Sequence, residues 1–166
     1  MIRAEPRPEE VIAVIDTREK IPYDLAPLVS EFGTLTTGDY SLKGLQGVVA
    51  IERKTLGDFL SCVGKNRERF EREVARLLAY PVRCLVIESS WATLEAGEWS
   101  SRITPQAAIG SLLGWVAAGL PVVLAGDRER AGRMVSRLLY IAARRRWREA
   151  RTFLKASTAP AASAGG

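Results

Sequence analysis

The chain has 166 residues, 47% of them hydrophobic and 26% charged, which suits one globular domain large enough to bury a core. Histidine is absent, and that excludes a Ser-His-Asp triad, a Cys-His dyad, an H-N-H nuclease centre and any histidine-ligated zinc. The formal charge of +5 agrees with a polyanionic partner, although heavy arginine use accounts for the same excess: of 24 basic residues only Lys20, Lys43, Lys54, Lys65 and Lys155 are lysine.

Met1 to Glu10 is polar and charged, so no secretory leader is expected. The longest apolar stretches are interrupted by Gly114, Gly119 and Pro121, short of membrane-spanning length. Cys62 and Cys84 stand alone, without C-x-x-C spacing, and read as core thiols in a reducing compartment. The expected location is intracellular: cytoplasm or nucleoid, or the nucleus of a eukaryotic cell.

The first strand runs from Val11 to Ile15 and is closed by Asp16. Thr17 to Ser30 holds Pro22 and Pro27 and predicts a loop with a short helix from about Ala26. Glu31 to Thr37 is a second strand, which Tyr40-Ser41-Leu42 continues beyond Gly38-Asp39. After the turn Lys43–Gly47, the apolar, β-branched run from Val48 to Arg53 pairs back as a hairpin. Thr55 caps a helix from Leu56 to about Cys62, with Asp58 in its first turn. A longer helix comes next, from Arg67 to about Ala79, then a central strand, Val82 to Glu88, and a short helix from Ser90-Trp91 to Ala96. Thr104-Pro105 opens a helix to about Ala118, and Val122 to Ala125 is a fifth strand. The last helix runs from Asp127 to about Arg148, with Met134, Val135, Leu138, Leu139 and Ile141 as its apolar face. Trp91, Trp99 and Trp115 read as core or partial-core residues. The expected fold class is α/β: a mixed central sheet of about five to six strands flanked by helices. Residues 1–155 form one domain in this reading, and the small residues of 156–166 form a flexible, disordered tail.

Glu52-Arg53-Lys54 is the chemically richest stretch. Side chains alternate along a strand, so Glu52 and Lys54 share one face while Arg53 points to the other. The hairpin brings Asp39 to the same place. Two carboxylates and an ammonium on one surface suit metal-assisted hydrolysis: the acids hold a divalent cation, and the lysine positions or polarises the attacking water. Asp16 either adds to the metal site or caps the turn after it. Arg53 is expected to pair with Asp58 or another acid behind the site. The last helix and the segment after it carry ten basic residues from Arg128 to Lys155 against Asp127, Glu129 and Glu149, so Arg144, Arg145 and Arg146 are candidates for phosphate contact. Trp147 and Phe153 lie in that segment and either stack on bases or anchor the helix end.

The pattern of Gly38-Asp39, a gap, Glu52-Arg53-Lys54 and then Asp58 resembles the nuclease domain of the XPF family (XPF/Hef-like) of structure-specific DNA endonucleases, whose signature is G-D, a variable gap, then E-R-K-x-x-x-D. Val14-Ile15-Asp16-Thr17-Arg18-Glu19 is similar to the family's first strand ending in D-x-R-E, and Arg69-Phe70 to its later arginine–hydrophobic pair. The resemblance implies a restriction-endonuclease-like fold and hydrolysis of phosphodiesters in branched, flap or fork DNA, with a place in DNA repair or recombination. It also implies Mg²⁺ or Mn²⁺ as cofactor, Asp39, Glu52 and Lys54 as the catalytic group, and Asp16, Asp39 and Glu52 as metal ligands. Arg18, Glu19, Arg53 and Asp58 then support the site from behind, with Arg18 alternatively touching the scissile phosphate, and Arg69 contacts DNA. Arg67 and Arg72 share that helix start, where pairs with Glu68, Glu71 and Glu73 explain the charges equally well.

In this family the helix region corresponding to Ala107–Gly119 helps pair two nuclease domains, so a homodimer or a nuclease partner subunit is expected; tight core packing accounts for the same composition. Eukaryotic and archaeal members carry tandem helix-hairpin-helix modules after the nuclease domain. Here a basic segment and small-residue tail take that place, so the grip on branched DNA is expected from the last helix or from a partner. Two other functions fit the residues: a catalytically silent DNA-binding or scaffold subunit, and a sequence-specific restriction-type nuclease, whose D…E-x-K arrangement is the same.

Overall fold

A computed structural model describes residues 4–158 and shows six strands in one mixed sheet, ordered β2-β1-β3-β4-β5-β6. The strands are β1 (Ile12–Asp16), β2 (Val29–Gly33), β3 (Tyr40–Leu42), β4 (Val49–Thr55), β5 (Val82–Glu88) and β6 (Val122–Leu124). The α-helices among the described residues are α1 (Leu56–Val63), α2 (Arg67–Leu78), α3 (Trp91–Ala96), α4 (Pro105–Ala117) and α5 (Arg128–Ser157). β1 runs parallel to β2, β3 runs antiparallel to both β1 and β4, and β4, β5 and β6 are parallel. This is the expected mixed α/β architecture.

Alternation along the strands builds a core on each face. On one face Ala13, Ile15, Tyr40, Leu42, Val49, Ile51, Cys84 and Val86 pack with Val135, Leu139 and Ala142 of α5. On the other, Ala50, Leu85 and Ile87 meet Phe59 of α1, Phe70, Val74 and Leu77 of α2, and Leu112 and Trp115 of α4. Caps set the helix starts: Thr55, Ser90, Thr104 and Asp127 each accept an amide of the first turn. Both cysteines are buried and unpaired, and burial pushes each thiol up to about 11, which makes them inert packing groups. Among the described residues no helix is long and apolar enough to cross a membrane.

Several expectations need correction. Residues 31–42 are not one interrupted strand: β2 is an edge strand parallel to β1, and β3 inserts on the other side of β1. The main-chain amide of Leu35 donates to Asp16 Oδ2 (2.7 Å), turning the chain away from β2 before it can continue. No helix forms after Ala26; that stretch is a turn leading into β2. α5 continues past Arg148 to Ser157 and crosses the expected tail boundary, while 159–166, the rest of the predicted tail, lies outside the described residues. Trp91 (41% exposed) and Ile141 (51%) lie outside the core.

Candidate active site

The backbone at the start of β3 makes the site possible. Ile15, Tyr40 and Ile51 lie in register across β1, β3 and β4, and β3 begins there, so the residue before it falls between two continuing strands. That residue is Asp39. Its amide donates to Ile51 O (2.8 Å), its carbonyl accepts from the Asp16 amide (2.9 Å), and its carboxylate oxygen Oδ2 accepts from the Arg53 amide (2.8 Å). One side-chain oxygen thus extends the sheet ladder while the other stays available. Gly38 is required for this approach: its φ is +83°, and a Cβ there would lie 3.1 Å from both Ile51 N and O.

β4 supplies the next two groups. Glu52 is buried (8% exposed) at the edge of the core face that carries Ala50. Lys54, two residues on, points the same way, and its Nζ donates to Glu52 Oε1 at 2.6 Å. A second carboxylate, Glu73 of α2, lies 3.6 Å from the same ammonium, and the Phe70 ring sits beneath it at 5.2 Å. Asp16, Thr37, Asp39, Glu52 and Lys54 line a cleft of about 240 Å³ whose opposite wall is Arg69, Glu73 and Arg76 of α2.

Arg53 points to the other face, as strand alternation requires. Its Nε donates to Glu88 Oε1 (2.8 Å), its Nη1 to Glu19 Oε1 (3.1 Å) and Ile21 O (3.1 Å), and the guanidinium lies 4.8 Å from the Tyr23 ring centre. Tyr23 Oη also donates to Glu88 Oε1 (2.6 Å). Asp58 is not Arg53's partner; it accepts from Thr55 Oγ1 (2.7 Å) and belongs to the cap of α1. Sequence reasoning passed over Glu88, although an acid ending the apolar run of β5 is a detectable signal. It treated Glu73 only as one of the acids pairing along the surface of that helix, where Glu73 does meet Arg69 at 3.5 Å.

Asp16 closes β1 beside Asp39 and is 2% exposed. Its two oxygens accept from Arg18 Nε (2.7 Å), Arg18 Nη2 (3.2 Å), and the Arg18 and Leu35 amides. Arg18 also donates to Leu35 O (2.8 Å), and its side chain stays 71% exposed at the cleft. Arg144, Arg145 and Arg146 are not brought to the site. α5 starts near the cleft end of the sheet, where Arg128 donates to Ile21 O and Pro22 O. It then runs toward the opposite end, where Arg144 pairs with Glu5, and Arg145 and Arg146 pair with Glu149. At 1.5 Å per residue, Arg146 lies roughly 27 Å along the helix from Arg128.

The acids of the cleft are crowded. Burial first, then the neighbouring Glu52 charge, push the Asp39 carboxyl up to about 7, against the Arg53 amide and Lys54. Burial also raises Glu52, which Lys54 only partly offsets. For Lys54, burial alone would favour the neutral amine, but Glu52 and Glu73 outweigh it and hold the ammonium above its usual range. Burial would likewise raise Asp16, yet Arg18 and the two amides outweigh it and keep that carboxylate low. Asp39 and Glu52 therefore fit a hard divalent cation: they are an oxygen-only pair carrying more negative charge than one lysine neutralises. No group of three or more metal-binding side chains occurs among the described residues, so further ligands would be water or substrate oxygens, as magnesium commonly keeps.

The ERCC4 domain profile matches residues 15–138, the span from the end of β1 into α5. The chain belongs to the ERCC4 domain family. That family is one of nuclease domains and includes XPF. Among solved structures, XPF from Aeropyrum pernix superposes with a TM-score of 0.63 at 17% identity, over 86% of this chain and 69% of that one. The same protein in complex with DNA gives a TM-score of 0.62 at 17% identity, over 84% and 66% of the two chains. The chain thus spans about two thirds of those XPF chains. No curated protein matches it by sequence. The shared fold and the ERCC4 assignment cover the elements that bring Asp16, Asp39, Glu52 and Lys54 together.

Proposed function

We propose that this ERCC4 domain is a divalent-metal-dependent DNA endonuclease that hydrolyses a phosphodiester in branched, flap or fork DNA. The observation that carries the proposal is the meeting of Asp39, Glu52 and Lys54 at the start of β3. Two carboxylates with excess negative charge and a lysine fixed as a cation share one cleft there. The cleft is open to a polyanion, and its rim carries Arg18, Arg69 and Arg76 for backbone phosphates.

Asp39 and Glu52 would hold Mg²⁺ or Mn²⁺, which supplies Lewis-acid polarisation of the phosphate and a more acidic water. Asp16, its oxygens taken up by Arg18 and Leu35, fixes the loop that carries Arg18 and adds negative charge beside the pair. Lys54 is held as an ammonium by two acids, so its part is to stabilise charge developing on the phosphate oxygens rather than to accept a proton. Arg53, Glu19, Glu88 and Tyr23 hold the end of β4 in place from behind. Arg144, Arg145 and Arg146 lie too far along α5 to meet the reacting bond, so any phosphate they contact belongs to a remote stretch of duplex. An intracellular location and a role in DNA repair or recombination go with this activity.

The test is cleavage of end-labelled flap, fork and plain duplex DNA with Mg²⁺, Mn²⁺ or chelator, for the wild type and Lys54→Ala. Metal-dependent cutting at the branch, lost in the variant, is the expected result. Binding without cutting under every metal condition would overturn the assignment in favour of a scaffold subunit, and cut positions fixed by sequence would favour a restriction-type enzyme.

A further inference from the structure

Glu52 faces two demands in this cleft. Its Oε1 is the close partner of Lys54, and in the proposed reaction it also holds the cation. A dication at Glu52 repels the neighbouring ammonium, and the attraction that now fixes Lys54 weakens as the metal arrives. A lysine tethered by Glu52 alone would be displaced at the moment it is needed.

Glu73 removes that conflict. It sits on α2, across the cleft from the strand that carries Glu52, with Oε2 3.6 Å from Lys54 Nζ. Its side chain is 20% exposed and Lys54's only 13%, so this contact is well shielded, whereas Glu73's other partner, Arg69, is 72% exposed. The position is set by packing: Phe70, Val74 and Leu77 bury one stripe of α2 in the core, which turns Arg69, Glu73 and Arg76, at i, i+4 and i+7, toward the cleft. Phe70 also carries the Lys54 ammonium over its ring, so the lysine lies between the helix and its own strand.

We propose that Glu73 is a positioning residue for Lys54: it retains the ammonium in the cleft when a divalent cation draws on Glu52. The proposal rests on the nuclease reading for its purpose. Its physical content, the hold on Lys54 in the presence of the cation, does not require turnover.

The decisive variant is Glu73→Gln, which keeps shape and removes charge at a partly exposed position. With five lysines in the chain, selective ¹⁵Nζ labelling gives a resolvable set, and relaxation of the Lys54 signal reports its order in DNA-free protein. The wild type should show an ordered Lys54 with and without saturating Mg²⁺. Glu73→Gln should show it ordered without Mg²⁺ and mobile with it. On flap DNA, kcat should fall by about 10–100-fold with KM unchanged, and Glu73→Asp, which keeps the charge at shorter reach, should recover part of the loss. A Lys54 signal as ordered in Glu73→Gln plus Mg²⁺ as in the wild type overturns the proposal. An inactive wild type would instead sink the nuclease reading and leave the relaxation measurement to judge Glu73 on its own.

Discussion

Two ionic clusters flank the end of β4, one on each face of the same strand, and they are built to opposite rules. On the back, Arg53 stacks on Tyr23 and donates to Glu19, Glu88 and the Ile21 carbonyl, all three in hydrogen-bonding range. On the front, Glu52 and Glu73 share one ammonium beside Asp39, and burial first, then the neighbouring acids, raise the carboxyls of Asp39 and Glu52. The satisfied cluster fixes geometry. The crowded one is where the proposed cation would bind. Adjacent residues of one strand, Arg53 and Lys54, thus meet different environments, because the pleat sends them to opposite faces, and the proposed reaction uses only the second.

The sharpest way to break this contrast is to delete the two cations in turn. Lys54→Ala should reduce cleavage by about 10³-fold while DNA binding, read by gel shift in chelator, stays near wild type; retained turnover would contradict the front-face assignment. Arg53→Ala should act through the fold, since it strands Glu19 and Glu88 at 12% and 11% side-chain exposure. A loss of about 3–5 kcal/mol is expected for a broken buried pair, measured by urea denaturation, and Arg53→Lys should not restore it because an ammonium cannot span both acids.

A pH scan sharpens the comparison further. The Asp39 carboxyl is raised to about 7 in the folded protein, against about 3.9 in an unfolded chain. Between those values the native state binds more protons, so its stability falls as pH rises. In chelator the protein should therefore be more stable at pH 5 than at pH 8, by about 2–3 kcal/mol. Asp39→Asn should flatten that slope, and Mg²⁺ should raise stability most at the higher pH. A slope of the opposite sign would contradict a raised Asp39 carboxyl. The smallest effect belongs to the strand's last residue: Thr55→Ala removes the cap of α1 and should cost about 1 kcal/mol without altering kcat.

The front cluster was largely legible in the sequence. Alternation alone places Glu52 with Lys54 and against Arg53, and the hairpin alone brings in Asp39. The helices were readable from their caps and periodicity, as Thr55, Ser90, Thr104 and Asp127 show. Sheet order was not legible. β2 and β3 have five and three residues, too few for periodicity to tell one bent strand from two strands on opposite sides of β1, and the deciding bond from Leu35 to Asp16 spans nineteen positions. Glu73 was hidden for a different reason. Its spacing from Arg69 gives it a local partner, and only the packing of α2 reveals a second one on β4. The basic run in α5 suggested contact with substrate by composition, while the helix carries Arg144–Arg146 away from the cleft.

That last helix has a mechanical consequence. From Arg148 to Thr158 every residue is exposed, so α5 leaves the body of the domain as a free shaft about 15 Å long, clamped at its root by Glu5 against Arg144 and Arg148. A label or fusion attached to it inherits a bearing rather than a range of bearings. Each residue inserted into or removed from the shaft swings that bearing by about 100° and shifts it by about 1.5 Å, so a series of single-residue insertions would sweep an attached probe around the axis like the hand of a dial.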